Sequence, residues 1–120
     1  MRIATWNINS VRLRLSQVLR FIKEQNIDVM CLQETKTQDE YFPSDDFKKI
    51  GMKHQYFRGE KSYNGVAILS KIKFTDNKYI NWYNKGDTRH VSVRPPRIKF
   101  FMMWKNFSHD INPITSIYYI

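Results

Sequence analysis

Gln33, Glu34 and Lys36 follow directly after an apolar run, and their types could do chemistry together. A carboxylate oxygen is the ligand that a hard cation prefers. The amide and the ammonium group beside it could hold an anion at the same place. Many strands end in polar residues only because their ends reach solvent. The stretch therefore indicates a site only if other parts of the chain bring polar residues to the same place.

The residues before Glu34 predict a strand that is buried on both faces, because Val29 to Leu32 are apolar without a break. Polar residues at the carboxyl end of such a strand lie where open α/β sheets collect ligands. Arg2 to Trp6 predicts an earlier strand, and helical spacing of apolar residues predicts a helix from Val11 to Lys23. Strand, helix and strand in so short a span predict a βαβ unit with parallel strands. Asn7 and Glu34 should then leave the same edge of one sheet.

The following residues predict further elements. The first helix is expected to end at Asn26, and Pro43 to Ile50 predicts a short helix stopped by Gly51. Residues 74–87 read as loop and edge strand. Three further strands are predicted: Gln55–Arg58, Val66–Ser70 and Arg89–Arg94.

The loop from Gly59 to Gly65 closes on an Asn-Gly turn signal. Lys61 and Tyr63 in this loop could contact phosphate and sugar. An ordinary hairpin tip, with its aromatic side chain resting on the sheet, explains the loop equally well. Both interpretations stay open on these residues alone.

Composition and charge bound the class of protein. The chain has 120 residues, of which 42% are hydrophobic and 26% charged, as expected for one globular domain. Twenty Lys and Arg against eleven Asp and Glu leave a charge of +9, which favours a polyanion such as nucleic acid as partner. A solvated basic surface is the alternative. No stretch is long and apolar enough to predict a membrane span, and the N-terminus has no apolar signal region. The single cysteine, Cys31, lies in the apolar run, which predicts a buried and inert thiol. Because one cysteine allows no disulfide within the chain, we expect a cytoplasmic protein.

Together these segments resemble the N-terminal part of the exodeoxyribonuclease III family, bacterial apurinic/apyrimidinic endonucleases of the endonuclease/exonuclease/phosphatase superfamily. The resemblance runs from Met1 to about Arg94. Four segments carry it: Trp6-Asn7-Ile8-Asn9-Ser10, Leu32-Gln33-Glu34-Thr35-Lys36, Tyr63-Asn64-Gly65-Val66-Ala67-Ile68-Leu69-Ser70-Lys71 and the basic strand from Arg89. The most specific evidence is the joint presence of the Leu-Gln-Glu-Thr-Lys run and the Tyr-Asn-Gly-Val-Ala run.

The resemblance implies an α/β fold, namely the first half of a four-layer α/β sandwich. It implies a Mg²⁺-dependent hydrolase, with Mn²⁺ as a possible substitute, that cleaves DNA phosphodiesters in base-excision repair. The implied partner is double-stranded DNA with abasic sites or 3′ ends, and no membrane is involved. Glu34 matches the metal-binding glutamate of the family, and Asn7 matches its active-site asparagine, which helps to order the metal. The residues expected to contact DNA are Lys36, Lys61, Tyr63, Asn64 and Arg89, the last in a looser match.

The sequence departs from the family after Arg94. We find no counterpart of the catalytic tyrosine, the Gly-Asp-x-Asn motif or the terminal Ser-Asp-His, and Ser108-His109-Asp110 has the same residue types in another order. The family fold spans roughly twice this length or more. Residues 1–94 are therefore interpreted as the N-terminal half of a truncated domain, and residues 95–120 as an unmatched tail, for which a frameshift is one hypothesis.

Three functional interpretations stay open. The first is a repair nuclease by descent, whose isolated chain we expect to be inactive because half of the catalytic groups have no counterpart. The second is a non-catalytic module that binds nucleic acid. The third is the non-functional product of a decayed gene. The neighbouring lipid phosphatases and sphingomyelinases of the superfamily share the asparagine and glutamate, but the Leu-Gln-Glu-Thr-Lys run and the basic charge favour DNA.

Overall fold

In a computed structural model, the structure describes residues 1–78, 91–94, 102–103 and 116–119. Within these residues, helices and strands alternate at first and short strands follow. In chain order the elements are β1 (Arg2–Asn7), α1 (Leu15–Glu24), β2 (Val29–Gln33), a 3₁₀ turn (Asp39–Tyr41), α2 (Ser44–Lys49), β3 (His54–Arg58), β4 (Val66–Ser70), β5 (Asp76–Lys78), β6 (Ser92–Arg94), β7 (Met102–Met103) and β8 (Ser116–Tyr119).

Five of the strands form one mixed sheet in the order β3-β4-β2-β1-β8, and β5, β6 and β7 form a second sheet. β1 and β2 run parallel, with Ile3 opposite Val29 and Asn7 opposite Gln33. β4 runs antiparallel to both β2 and β3. The predicted βαβ unit and the α/β fold class are therefore confirmed, and the carboxyl ends of β1 and β2 lie side by side.

Helices cover one face of the five-stranded sheet. Val18 and Ile22 of α1 and Phe47 of α2 are fully buried in a core that includes alternate residues of the central strands. Burying one such apolar side chain stabilises the fold by about 1.5–3 kcal/mol. The strand residues of this core are Ala4, Met30, Leu32, Ala67 and Leu69.

The opposite face of the sheet forms a second apolar core. Its strand residues, such as Val29, Cys31 and Ile68, pack with Phe74 and Val91, which come from the chain beyond β4. All five residues of β2 are buried because both of its faces are covered. Glu34 is thus carried at the end of the most enclosed strand of the sheet.

The start of α1 differs from the prediction, which began the helix at Val11. The backbone N–H groups of Ser10 and Val11 donate to the carbonyl oxygens of Glu34 and Thr35, at 2.8 and 3.0 Å. Residues 11–14 therefore form a turn, and the helix begins at Leu15. Hydrogen bonds to a distant loop outweigh the apolar periodicity here.

The ends of the two helices agree with the prediction. Asn26, with φ 48°, follows α1, and the N–H of Ile27 donates to the carbonyl of Ile22 at 3.0 Å. Gly51, with φ 92°, follows α2, and the N–H of Met52 donates to the carbonyl of Phe47 at 3.0 Å. Both are Schellman motifs, in which a residue that tolerates the left-handed conformation ends the helix.

Two strands, β7 and β8, lie in residues 95–120, for which the sequence predicted no element. β8 pairs antiparallel with β1 and forms an edge of the five-stranded sheet, with Arg2 opposite Tyr119 and Thr5 opposite Ser116. The domain boundary at residue 94 stays a prediction. Among the described residues, no helix is long and apolar enough to cross a membrane.

Candidate metal and nucleic-acid site

Asn7 and Glu34 meet at the carboxyl edge of the five-stranded sheet. Asn7 is the last residue of β1 and Glu34 the first after β2. The Asn7 Nδ2 atom donates a hydrogen bond of 3.1 Å to Glu34 Oε1. The predicted proximity of the two side chains is confirmed. The bond fixes one carboxylate oxygen of Glu34 in place.

The turns that follow β1 and β2 hold an unusual backbone conformation. Asn9, Ser10, Glu34 and Lys36 all have positive φ, at 46°, 90°, 53° and 51°. Left-handed φ costs a residue with a side chain roughly 1–2 kcal/mol, and such residues concentrate at functional sites. Hydrogen bonds between the two turns offset this cost: besides those of Ser10 and Val11, the Ile8 N–H donates to the Gln33 carbonyl at 2.9 Å.

The loop between β3 and β4 closes onto the same turn. The backbone N–H of Thr35 donates to the carbonyl of Gly65 at 3.2 Å, and that of Lys36 donates to the carbonyl of Asn64 at 2.9 Å. Gly65 has φ 89°, and a Cβ added to it would lie 2.1 Å from Thr35 Oγ1. Only glycine fits this approach, so the loop that carries Tyr63 is attached to the turn that carries Glu34.

Lys36 brings a positive charge to the second oxygen of Glu34. Its Nζ atom lies 3.5 Å from Glu34 Oε2, and the two side chains are 32% and 28% exposed. The same Nζ donates to Asn9 Oδ1 at 2.5 Å. Asn7, Glu34, Lys36 and Asn9 therefore form one contiguous polar cluster, the edge cluster, which is partly open to solvent.

Gln33 directly precedes Glu34 in sequence but has a structural role inside the sheet. Its side chain is buried and its Nε2 atom donates to Thr5 Oγ1 at 2.8 Å and to the Cys31 carbonyl at 3.2 Å. It therefore links β1 to β2 beneath the edge cluster. Cys31 is also buried, and burial raises the pKa of its thiol from the ordinary 9.0 to about 12. A thiol held in its neutral form is inert, as the sequence predicted.

The residues predicted to contact DNA lie partly beside the edge cluster. Lys61 is exposed and the Tyr63 side chain is 71% exposed, in the loop joined to Thr35 and Lys36. Asn64 uses its side chain within that loop, because its Nδ2 donates to Glu60 Oε1 at 2.7 Å. Arg89 lies outside the described residues. The DNA contacts of all of these residues stay predictions.

The sequence interpretation missed Asn9 as a member of the site. Its contact with Lys36 joins residues 27 positions apart, so no local pattern reports it. One signal was available: an asparagine just after a strand tolerates left-handed φ and is enriched at such turns. A second surface contact was missed as well, in which the Arg12 guanidinium lies over the ring of Tyr41 at 6.0 Å from its centre.

The donor set at the edge suits a weakly held hard cation. Among the described residues, no group of three or more His, Cys, Asp or Glu side chains could hold a metal ion. Mg²⁺ commonly uses only one or two carboxylates and keeps most of its waters, so Glu34 fits it as a single ligand. We therefore expect weak Mg²⁺ binding at Glu34, with Asn7 orienting the carboxylate.

A mixed α/β sheet with a carboxylate, an amide and an ammonium group at its carboxyl edge defines an α/β protein whose polar cluster lies where open α/β sheets collect ligands. Comparison with known proteins specifies this class further. The endonuclease/exonuclease/phosphatase family pattern matches residues 4–111. The chain belongs to this family.

Individual relatives are DNA-processing enzymes. The exodeoxyribonuclease III of Haemophilus influenzae is 38% identical over 71 residues, which are 59% of this chain and 26% of that protein. An AP endonuclease structure from Archaeoglobus fulgidus has a TM-score of 0.74 and 38% identity, covering 80% of this chain and 37% of its own. A 3′ phosphatase from Neisseria, bound to product DNA hairpin, has a TM-score of 0.75 and 32% identity, covering 80% and 38%. The chain thus spans about a quarter of the length of the curated relative and over a third of the two solved structures.

Proposed function

We propose that the chain carries part of the active site of a divalent-metal-dependent DNA phosphodiesterase of the exodeoxyribonuclease III type. The observation that carries the proposal is the Asn7–Glu34 pair, joined at 3.1 Å at the ends of two parallel strands. The net charge of +9 favours a nucleic-acid substrate, and relatives that act on DNA support this choice. We further propose abasic sites and 3′ ends as substrates in base-excision repair. A cytoplasmic location is part of the proposal, in keeping with the single, buried free cysteine.

Each residue of the site has a role in this proposal. Glu34 would hold Mg²⁺, or Mn²⁺ in its place, and when bound the cation supplies Lewis-acid stabilisation of charge on the phosphate. Asn7 orients the Glu34 carboxylate through its amide nitrogen and is also a candidate ligand through its amide oxygen. Lys36 and Lys61 contact phosphate, while Tyr63, Asn64 and Arg89 contact the DNA nearby.

We also propose that this 120-residue chain does not cleave DNA by itself. Phosphodiester hydrolysis needs a group that positions or deprotonates the attacking water and another that stabilises the leaving oxygen. In the edge cluster, Glu34 is the carboxylate and it is occupied by Asn7 and Lys36. Groups that act as a unit lose function non-additively, and in the part of the chain that the structure describes the edge cluster supplies only Glu34 as a carboxylate, so we expect little rate enhancement.

The test is the incubation of purified chain with a labelled abasic duplex and Mg²⁺, with binding followed by fluorescence anisotropy. We expect no measurable cleavage and weak binding at low salt. We expect Mg²⁺ to favour binding of the abasic duplex over an undamaged one, and Glu34→Ala to remove this preference. If the affinity for DNA changes neither when Mg²⁺ is added nor in Glu34→Ala, the proposed site is contradicted.

Glu34→Ala also controls for contaminating nuclease. Turnover that disappears in this variant would overturn the proposed inactivity and show that the chain itself supplies a complete set of catalytic groups. Turnover that survives the substitution comes from a host nuclease. We expect neither.

A second candidate function is non-catalytic binding of nucleic acid. The 71% exposure of Tyr63, beside the exposed Lys61, favours it, because an aromatic ring and an ammonium group can hold base and backbone without cleavage. In that case binding would depend strongly on salt, and Mg²⁺ would only weaken it as a competing cation, equally in the wild-type chain and in Glu34→Ala.

A further inference from the structure

Both oxygens of the proposed metal ligand are already engaged by neighbours. Glu34 Oε1 accepts the hydrogen bond from Asn7, and Oε2 lies 3.5 Å from the ammonium group of Lys36. A carboxylate oxygen has a second lone pair, so a cation could still bind. It would, however, bind next to the positive charge of Lys36, which lowers the affinity for the cation.

Lys36 is held firmly at its backbone and loosely at its tip. The N–H of Lys36 is bound to the Asn64 carbonyl at 2.9 Å, which fixes the start of the side chain. Its Nζ contacts only Glu34 and Asn9 among the described residues, and the side chain is 32% exposed. A lysine side chain has four rotatable carbon–carbon bonds, so the ammonium group can move away from the carboxylate without disturbing the backbone.

We propose that the Lys36 ammonium group occupies the Glu34 carboxylate until a divalent cation and a phosphate arrive together. The cation displaces the ammonium group from Glu34, and the displaced ammonium group binds an anionic phosphate oxygen. In the reverse order, a phosphate that draws Lys36 away frees the carboxylate for the cation. Cation and DNA therefore bind with positive coupling. The inference rests on the proposed function, because it takes Glu34 as the metal ligand.

Asn9 sets how firmly the ammonium group is held. Its Oδ1 atom accepts the Lys36 hydrogen bond at 2.5 Å, and its backbone is left-handed with φ 46°. Without this acceptor, Lys36 would compete less well for the carboxylate. Asn9 thus tunes the coupling and requires no contact with cation or DNA to do so.

The experiment measures Mn²⁺ affinity from the electron paramagnetic resonance signal of free Mn²⁺, with and without a short DNA duplex. Lys36→Met removes the competing charge, so we expect Mn²⁺ alone to bind about two- to fivefold more tightly. In the wild-type chain, DNA should raise the Mn²⁺ affinity of the protein by about fivefold, after the Mn²⁺ bound by the same duplex alone is subtracted, and most of this enhancement should be lost in Lys36→Met. Lys36→Arg keeps a mobile positive charge and should retain the enhancement.

Two further variants keep the test specific. Lys53→Met removes one exposed charge at the opposite end of the sheet, next to β3, and should leave the Mn²⁺ affinity and the coupling unchanged. Asn9→Gly suits the left-handed backbone and removes the acceptor, so it should raise the affinity for Mn²⁺ alone by a smaller factor than Lys36→Met. Circular dichroism of each variant verifies folding, and the Lys36 variants keep every backbone hydrogen bond.

The outcomes separate the inference from the proposed function. If Glu34→Gln leaves Mn²⁺ binding unchanged, the metal site itself is wrong and the inference fails with it. If Glu34→Gln abolishes binding while Lys36→Met weakens it or leaves the DNA enhancement intact, only the inference is overturned. Tighter binding of Mn²⁺ alone together with loss of the enhancement in Lys36→Met supports it.

Discussion

Replacing Gly65 with alanine tests whether the β3–β4 loop is built into the edge cluster. Gly51 provides a matched control because the two glycines have nearly the same φ, 89° and 92°. They differ in their surroundings. A Cβ on Gly65 would lie 2.1 Å from Thr35 Oγ1, whereas a Cβ on Gly51 meets nothing within 4 Å.

The magnitude follows from these contacts. Both substitutions carry the cost of left-handed alanine, about 1–2 kcal/mol. Gly65→Ala must also displace the buried Thr35, at about 1–3 kcal/mol for an overpacked site, and strain the 3.2 Å hydrogen bond from the Thr35 N–H. We expect the free energy of unfolding to fall by about 2–3 kcal/mol more in Gly65→Ala than in Gly51→Ala.

Urea denaturation of the two variants and the wild-type chain measures this difference from the midpoints at constant slope. Because Thr35 is the neighbour of Glu34, Gly65→Ala should also weaken Mg²⁺ binding, while Gly51→Ala should not. Equal destabilisation by the two substitutions would refute the reasoning, since it would mean that Gly65 is not held against Thr35.

Two further predictions concern Cys31 and Lys61. Burial raises the pKa of Cys31 from 9.0 to about 12, so as the pH rises the unfolded chain loses the thiol proton before the folded chain does. The contribution of the thiol to the free energy of unfolding is therefore full below pH 9 and is lost as the pH rises towards 12. Iodoacetamide should therefore label Cys31 slowly in the folded chain and rapidly in urea, and fast labelling without urea would contradict its burial. Lys61→Met should weaken DNA binding and reduce the slope of log affinity against log salt concentration by about one, measured by fluorescence anisotropy. An unchanged slope would show that Lys61 does not contact phosphate.

Much of the fold could be predicted because its signals are local. The apolar run of β2 and the helical spacing that ends at Ile22 specified the βαβ unit, and that unit alone places Asn7 beside Glu34. Asn26 and Gly51 marked the helix ends because few residues tolerate left-handed φ. The central pair of the site therefore follows from sequence.

The rest of the site depends on contacts between distant residues. Ser10 and Val11 donate to carbonyl groups more than twenty positions later, which moves the start of α1 to Leu15. The Asn9–Lys36 hydrogen bond and the pairing of β8 with β1 are of the same kind. Sequence periodicity reports which face of an element is apolar, and it carries no information on which loops meet.

The most direct test of the central claim is a Mg²⁺ titration of the ¹⁵N-labelled chain followed by NMR. We expect weak binding, with shifts of backbone amides concentrated in residues 7–10, 33–36 and 63–66, the three segments that meet at the edge cluster. In Glu34→Gln these shifts should disappear while the rest of the spectrum stays unchanged. Shifts that persist in Glu34→Gln, or that lie elsewhere in the described chain, would contradict the assignment of Glu34 as the metal ligand.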